Sequence, residues 1–458
     1  MRFVLLALVI LATPARAEDL APDRWLRHVT EDLLPFWTHP DALGGQGLYP
    51  SVRCNTGETV NPQMPCPEVA RFPWLAPAAH HIVALSRQAY AYGVAFHLTG
   101  DLAYLAHMRR GVAALTGPAL NPETGGHFRQ FDQAGWGPAD QGLTLQEQAY
   151  ALLAPAFYFY LTRDPTVLET LRTVRQSLLA TYLAPETGAY ALHPRAEAPA
   201  DEGRLAAYID QINAFYLLVT PLLAPAERAL WEADLARLAR ETEARFYDPQ
   251  TNSFRPDLRA DRQKVHFGYT IKTFWFLQMT AALLGEQTWA EDLGERARQA
   301  LRASFAAGAG AWADRLEPDT AVRTSWIFAE QNQFAASASI ADPSLRAMLA
   351  QTQALWLTDF VDPVYGGTYD MLDPERGPLP NGPPKHWPWK AGFHSFEHAL
   401  VAYIAGGAIT ETPIALYYAF DERPAHLQPY YFTAKIDAVE TKDHTTRVTF
   451  SAIRYAGE

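Results

Sequence analysis

Cysteine is almost missing from this 458-residue chain: Cys54 and Cys66 are the two, and no histidine stands beside them. That excludes a four-ligand Cys/His zinc site, and an even count in a Pro- and Asn-rich loop points instead to a disulfide formed in an oxidising compartment. Such a bridge pins a loop rather than holding a core. Positive charge is also short, with 38 Lys and Arg against 50 Asp and Glu and a formal net charge of −12. Nucleic acid and anionic membrane surfaces are therefore poor partners, and a neutral or cationic one fits better. After residue 17 no apolar run has the roughly 20 residues that a membrane span needs. The first 17 residues have the pattern of a secretory signal: Arg2, an apolar run from Val4 to Ala12, and the small-residue cleavage site Ala15-Arg16-Ala17. A soluble product in the periplasm or outside the cell is expected, beginning near Glu18.

Phosphate-cradling glycine loops are missing too, and the close histidine pairs are His80-His81 and His394 with His398. The last two are four apart, a spacing that binds zinc on a helix, but the general base that normally stands between them is displaced to Glu397. No metal and no cofactor is expected. Aromatic residues, by contrast, are abundant at 12%, with 12 Trp and 21 Tyr. They suit both a large helical core and a cavity that stacks the flat faces of sugar rings.

What the chain repeats is a turn. Asn121-Pro122-Glu123-Thr124-Gly125-Gly126 returns as Pro185-Glu186-Thr187-Gly188, as Asp248-Pro249-Gln250-Thr251-Asn252, and as Asp362-Pro363-Val364-Tyr365-Gly366-Gly367. Proline sets the first corner and glycine supplies the positive φ that follows. The spacing is roughly 60 residues, doubled in the last interval, so one copy is displaced to Ala306–Trp312, and Pro40–Gly45 is a first copy. Between turns the apolar positions recur at helical spacing over lengths that hold two helices. Six such units predict an all-α (α/α)6 toroid of six helix pairs spanning residues 18–428. From Pro429 onward the pattern alternates, which predicts a C-terminal β-hairpin over 429–458. The loop from Gly44 to Pro77 is long for a compact domain, and in it Arg53, Arg71 and Trp74 are candidates to face a cavity.

Several stretches resemble the N-acylglucosamine 2-epimerase superfamily, which includes cellobiose 2-epimerases and aldose–ketose isomerases acting on mannose. They are Arg87-Gln88-Ala89-Tyr90 with Leu98-Thr99-Gly100-Asp101, Gln148-Ala149-Tyr150-Ala151-Leu152-Leu153, and Lys390-Ala391-Gly392-Phe393-His394. The resemblance implies a site in which two facing histidines move the proton beside the carbonyl of an open-chain sugar through an enediolate. His394 matches one of them and Tyr269 stands where the other belongs, with His266 as an alternative partner and Lys272 placed to favour the phenolate. A third family histidine becomes Asp210. Arg87, Asp210, Lys272, Trp275, Trp326, Glu330, Trp389 and Glu397 are then expected around the sugar, with His394 as general base near its ordinary pKa.

Lys272 and Glu397 replace a Glu and an Arg of the family pattern, so an ion pair between them across the cavity is expected. A sugar isomerase or epimerase is the leading reading. One alternative is a glycoside hydrolase or lyase using two of Asp210, Glu330, Glu397 and Glu147; another is a sugar-binding protein without catalysis. Oligomeric state is left open.

Overall fold

The computed structural model describes residues 20–44, 48–75, 77–132, 135–137, 143–195, 203–259, 261, 264–316, 322–420 and 422–457. The segment read as a secretory signal lies outside them. Long helices dominate: α1 (22–37), α2 (Ile82–Thr99), α3 (Leu102–Leu115), α4 (145–162), α5 (Pro165–Tyr182), α6 (206–219), α7 (Pro225–Phe246), α8 (Phe267–Leu283), α9 (Gln287–Ala307), α10 (Ser325–Ala338), α11 (346–360) and α12 (Phe393–Ile409). No helix among the described residues is long and apolar enough to cross a membrane.

The even-numbered helices form a closed inner circuit, each packed on the next and α12 returning to α2. Each odd-numbered helix lies outside one inner partner: α3 on α2, α5 on α4, α7 on α6, α9 on α8, α11 on α10 and α1 on α12. Burial follows from that placement. Residues Ile82 through Leu98 of α2 are all buried, whereas α9 buries a single stripe, Ala290, Leu293, Gly294, Ala297, Ala300, Leu301 and Ser304.

Two local sequences explain the pairing. In Leu98-Thr99-Gly100-Asp101, Gly100 ends α2 at a φ of 76° and the Asp101 carboxylate caps α3 by accepting from Ala103 N at 2.8 Å. In Leu161-Thr162-Arg163-Asp164, Arg163 takes the same left-handed place at 60°, and Asp164 accepts from Thr166 N at 2.9 Å to cap α5. One corner therefore recurs with a different residue at its strained position.

The repeated turn sits just after the outer helix of each pair. In four copies a pair of residues brackets it in the same antiparallel register: Leu120 with His127, Leu183 with Tyr190, Tyr247 with Phe254, and Val361 with Thr368. Three residues after each proline the backbone has positive φ, at Gly125, Gly188, Asn252 and Gly366. Asparagine is the side chain that best tolerates this region, which explains how one copy dispenses with glycine.

The C-terminal hairpin pairs β2 (Phe432–Lys442) with β3 (Thr445–Tyr455), after β1 (Ile414–Tyr418) has joined the other edge of β3. The third strand was not foreseen: its five residues follow α12 after only the short turn 410–413, where Glu411 takes the positive φ in place of a glycine. The sheet packs on α12 and α2, and the segment entering β2 sends Tyr430 and Tyr431 into the interior.

Cys54 and Cys66 are bonded, and around them Val52, Val60, Val69 and Leu75 form a small separate apolar cluster packed against Trp387. Arg53 does not face a cavity. It is fully buried, stacks on Phe36 and donates to His386 Nδ1 (3.0 Å) and to the carbonyl oxygens of Phe36 (2.9 Å) and Gly57 (3.0 Å), so it ties the loop to α1. Arg71 reaches the Pro380 carbonyl, and Trp74 lies 62% exposed against the Trp387 ring. Denatured, unreduced protein is accordingly expected to show no free thiol. Replacing both cysteines by alanine should cost about 2–3 kcal/mol in urea unfolding, with the helical circular dichroism signal retained.

Candidate functional site

All six inner helices contribute side chains from their N-terminal turns to one cavity of about 340 Å³. Arg87 comes from α2, Gln146 and Tyr150 from α4, Asp210 from α6, Tyr269 and Lys272 from α8, Ser325 and Trp326 from α10, and His394 from α12. The segment before α12 adds Trp387, Trp389 and Lys390, and Asp370 follows the fourth turn copy. His394 is placed by Gly392, whose φ of 86° turns the chain into α12. A Cβ there would stand 3.2 Å from both Ala91 Cβ and the Trp37 ring.

Lys272 is the best-connected charge of the site. Its Nζ donates to Asp210 Oδ1 at 2.7 Å and to Tyr150 Oη at 3.0 Å, while Gln146 Nε2 donates to Asp210 Oδ2 at 2.6 Å and Tyr150 Oη to Asp210 Oδ1 at 3.1 Å. Burial disfavours the ammonium, but Asp210, Tyr150 and Glu330 outweigh it and raise its pKa well above the ordinary lysine value. The expected ion pair with Glu397 is not made: Asp210, presented by the neighbouring inner helix α6, takes the lysine. Glu397 lies beneath the cavity, where it accepts from Tyr430 Oη at 2.7 Å.

Glu330 is also beneath the wall, fully buried, with Oε1 at 3.6 Å from His394 Nε2 and 3.9 Å from Lys272 Nζ. Neither oxygen of Glu330 has a hydrogen-bond partner among the described residues. Burial raises both Glu330 and Glu397, and Glu330 repels the charge on Glu397 as well, so these carboxyls hold their protons far above the usual carboxylate range. His394 shifts the other way. Burial, then Arg87, Lys272 and Lys390, push it well below an ordinary histidine, which corrects the expectation of a near-normal pKa and leaves a neutral imidazole.

Tyr269 and His394 both contact the Trp326 ring, at centroid distances of 5.3 and 6.0 Å. Lys272 does not make Tyr269 a phenolate: burial and then Asp210 raise the phenol, and the ammonium is committed to Asp210 and Tyr150. His266 stands behind the wall, stacked on Trp326 at 5.8 Å and accepting from Tyr269 N at 3.3 Å, with burial lowering it to about 4. Trp275 is away from the cavity, three residues beyond Lys272 and so one turn deeper in α8, where it packs on Phe276 and Tyr431. His398 is buried between Trp25 and Trp356, far from a zinc arrangement with His394.

Sequence reasoning missed Gln146, Tyr150, Ser325, Asp370 and Lys390 as site residues. Lys390 Nζ donates to Ser325 Oγ at 2.9 Å and Thr368 Oγ1 at 3.2 Å, while Asp370 accepts from Ser325 Oγ at 3.3 Å and from Trp387 Nε1 at 3.0 Å. Their signal was indirect. Ser325 opens α10, Lys390 lies three residues before α12, and Asp370 directly follows a turn copy. Glu147, a candidate carboxylate for hydrolysis, instead closes a capping box with Thr144 and binds Arg129 and His81.

No family model matches the sequence, and no curated protein matches it. Solved structures do share the fold. A cellobiose 2-epimerase from Bacillus thermoamylovorans B4167 gives a TM-score of 0.69 at 16% identity, over 83% of this chain and 98% of that one. A D-mannose isomerase gives 0.70 at 14% identity, over 86% and 99%. A GH76A α-1,6-mannanase from a Salegentibacter species gives 0.53 at 11% identity, over 82% and 98%.

The Lys272–Asp210 pair makes a prediction independent of any substrate. Lys272→Met leaves a buried carboxylate uncompensated and should cost roughly 3–5 kcal/mol in chemical denaturation. Adding Asp210→Asn should recover about 2 kcal/mol of that loss, and additivity of the two changes would show that the pair is not coupled.

Proposed function

We propose that this chain is a sugar isomerase of the N-acylglucosamine 2-epimerase superfamily, acting on a mono- or short oligosaccharide at the carbon beside its carbonyl. Residues 18–428 are read as the catalytic (α/α)6 toroid, its inner circuit being the even-numbered helices, and residues 429–458 as an appended hairpin. The observation that carries the reading is His394: an imidazole on the cavity wall, kept neutral, its side chain 14% exposed and its Nε2 buried 3.6 Å from Glu330. The shared fold with a cellobiose 2-epimerase and a D-mannose isomerase supports the reaction class.

A neutral imidazole accepts the proton from the carbon next to the carbonyl as negative charge moves onto the sugar oxygens. A lowered pKa makes His394 a weak base in the empty cavity, but the growing enediolate is itself an anion that favours the imidazolium. Arg87, Lys272 and Lys390 are cationic donors around that developing charge, and Tyr269, kept protonated, is a neutral donor. One base can return the proton to the adjacent carbon, giving aldose–ketose isomerisation. Epimerisation needs a second base on the opposite face, and a raised phenol fills that role poorly.

Hydrolysis is less well supported. It requires two carboxyl groups across the bond: of the four candidates only Asp210 lines the cavity, where Lys272 occupies it, and Asp370, the other carboxyl of the lining, is buried and engaged by Ser325 and Trp387. Proton NMR in D2O over a panel of aldoses and ketoses tests the reading. Loss of the C2 proton signal with interconversion of aldose and ketose is expected, and His394→Asn should reduce it by a factor of about 1,000 or more while sugar still quenches tryptophan fluorescence. New reducing ends would establish a hydrolase, and binding without exchange a sugar-binding protein.

A further inference from the structure

The cations of the cavity are unevenly paired. Lys272 has Asp210, but among the described residues neither Arg87 nor Lys390 has a carboxylate within ion-pair distance. Arg87 is 3% exposed, its guanidinium packed over the Tyr150 ring at 4.1 Å and near Trp389 and Phe393, with Nη1 donating to the Trp389 carbonyl. Its Nε is buried without a partner. Lys390 binds only two neutral hydroxyls, those of Ser325 and Thr368. The two cations are close enough to repel, and both bear on His394.

Placing like charges side by side in a partly dry wall is costly unless an anion completes the site. Asp370 attracts the Lys390 ammonium only from beyond ion-pair distance, and burial, which raises its pKa, weakens it as a countercharge. We infer that Arg87 and Lys390 form a subsite for an anionic group carried by the sugar, a carboxylate or a phosphate ester, so that the substrates are sugar acids or sugar phosphates rather than neutral hexoses. This rests on the cavity being a sugar site, as proposed above. It departs from what the net charge of −12 suggests. That total is spread over the surface and screened within about 10 Å, whereas the subsite acts at contact.

Lys390 also gives the subsite a pH dependence. Burial first, then Arg87, lower its amine to about 8 against the opposing pull of Asp370, and the neighbouring His394 is neutral. The ammonium that would bind an anion is therefore present below about pH 8 and lost above it.

Tryptophan fluorescence titration with glucuronate, mannuronate, glucose 6-phosphate and mannose 6-phosphate, each against its neutral parent, tests the subsite. At pH 6.5 at least one charged set should bind roughly tenfold tighter than its parents, the uronates identifying a carboxylate site and the esters a phosphate site. The uronate advantage should fall at pH 9.5, and Lys390→Met should abolish it while Lys390→Arg keeps it at both pH values. Should Lys390→Met fail to fold, the pH comparison on the unaltered chain decides. Equal or tighter binding of the neutral sugars, no saturable binding of any charged sugar, or a uronate advantage unchanged at pH 9.5 would overturn the inference. The D2O exchange measurement is separate: tight uronate binding without exchange keeps the subsite and removes the isomerase reading.

Discussion

Burying charge where the six inner helices converge is the constraint on which the site depends. Lys272 and Asp210 come from neighbouring inner helices and meet at 2.7 Å, both nearly inaccessible, with Tyr150 accepting a second ammonium proton and Gln146 donating to the second carboxylate oxygen. Pairing reinforced by such hydrogen bonds lets charge persist inside a protein. It ties α4, α6 and α8 together at the mouth of the circuit, and so sets the width of the cavity that Tyr269 and His394 line.

The same burial has opposite consequences for acids and for a base. Glu330 and Glu397 hold their protons, and His394 gives its proton up. The result is a neutral base above two carboxyls whose pKa values are raised, with cations on the wall beside it. In that setting negative charge developing on a ligand is the missing element, which is why both the proposed enediolate chemistry and the proposed anionic subsite follow from one electrostatic imbalance.

Architecture separates stability from chemistry along each helix pair. The turn copies with their fixed register lie after the outer helices, while the side chains of the cavity come from the first turns of the inner ones. The disulfide loop belongs to the second group in effect, since its small apolar cluster supports Trp387, whose indole holds Asp370.

The helix-pair fold was legible in the sequence because its determinants are local. Pro-x-x-Gly turns and Gly-Asp or Arg-Asp corners act over a few residues, and their spacing counts the units. His394, Arg87, Lys272, Asp210, Trp326 and Trp389 were named from the sequence through its resemblance to a known family, and all six line the cavity. What could not be read was pairing. That Lys272 meets Asp210 rather than Glu397, that Trp275 sits a turn too deep, and that Ser325, Asp370 and Lys390 share one corner depend on which helices are neighbours in the closed circuit and how far each is rotated. Those are long-range properties, decided by packing of the whole ring, and so are the pKa values, because burial and the charges across a cavity exist only once the chain has closed on itself.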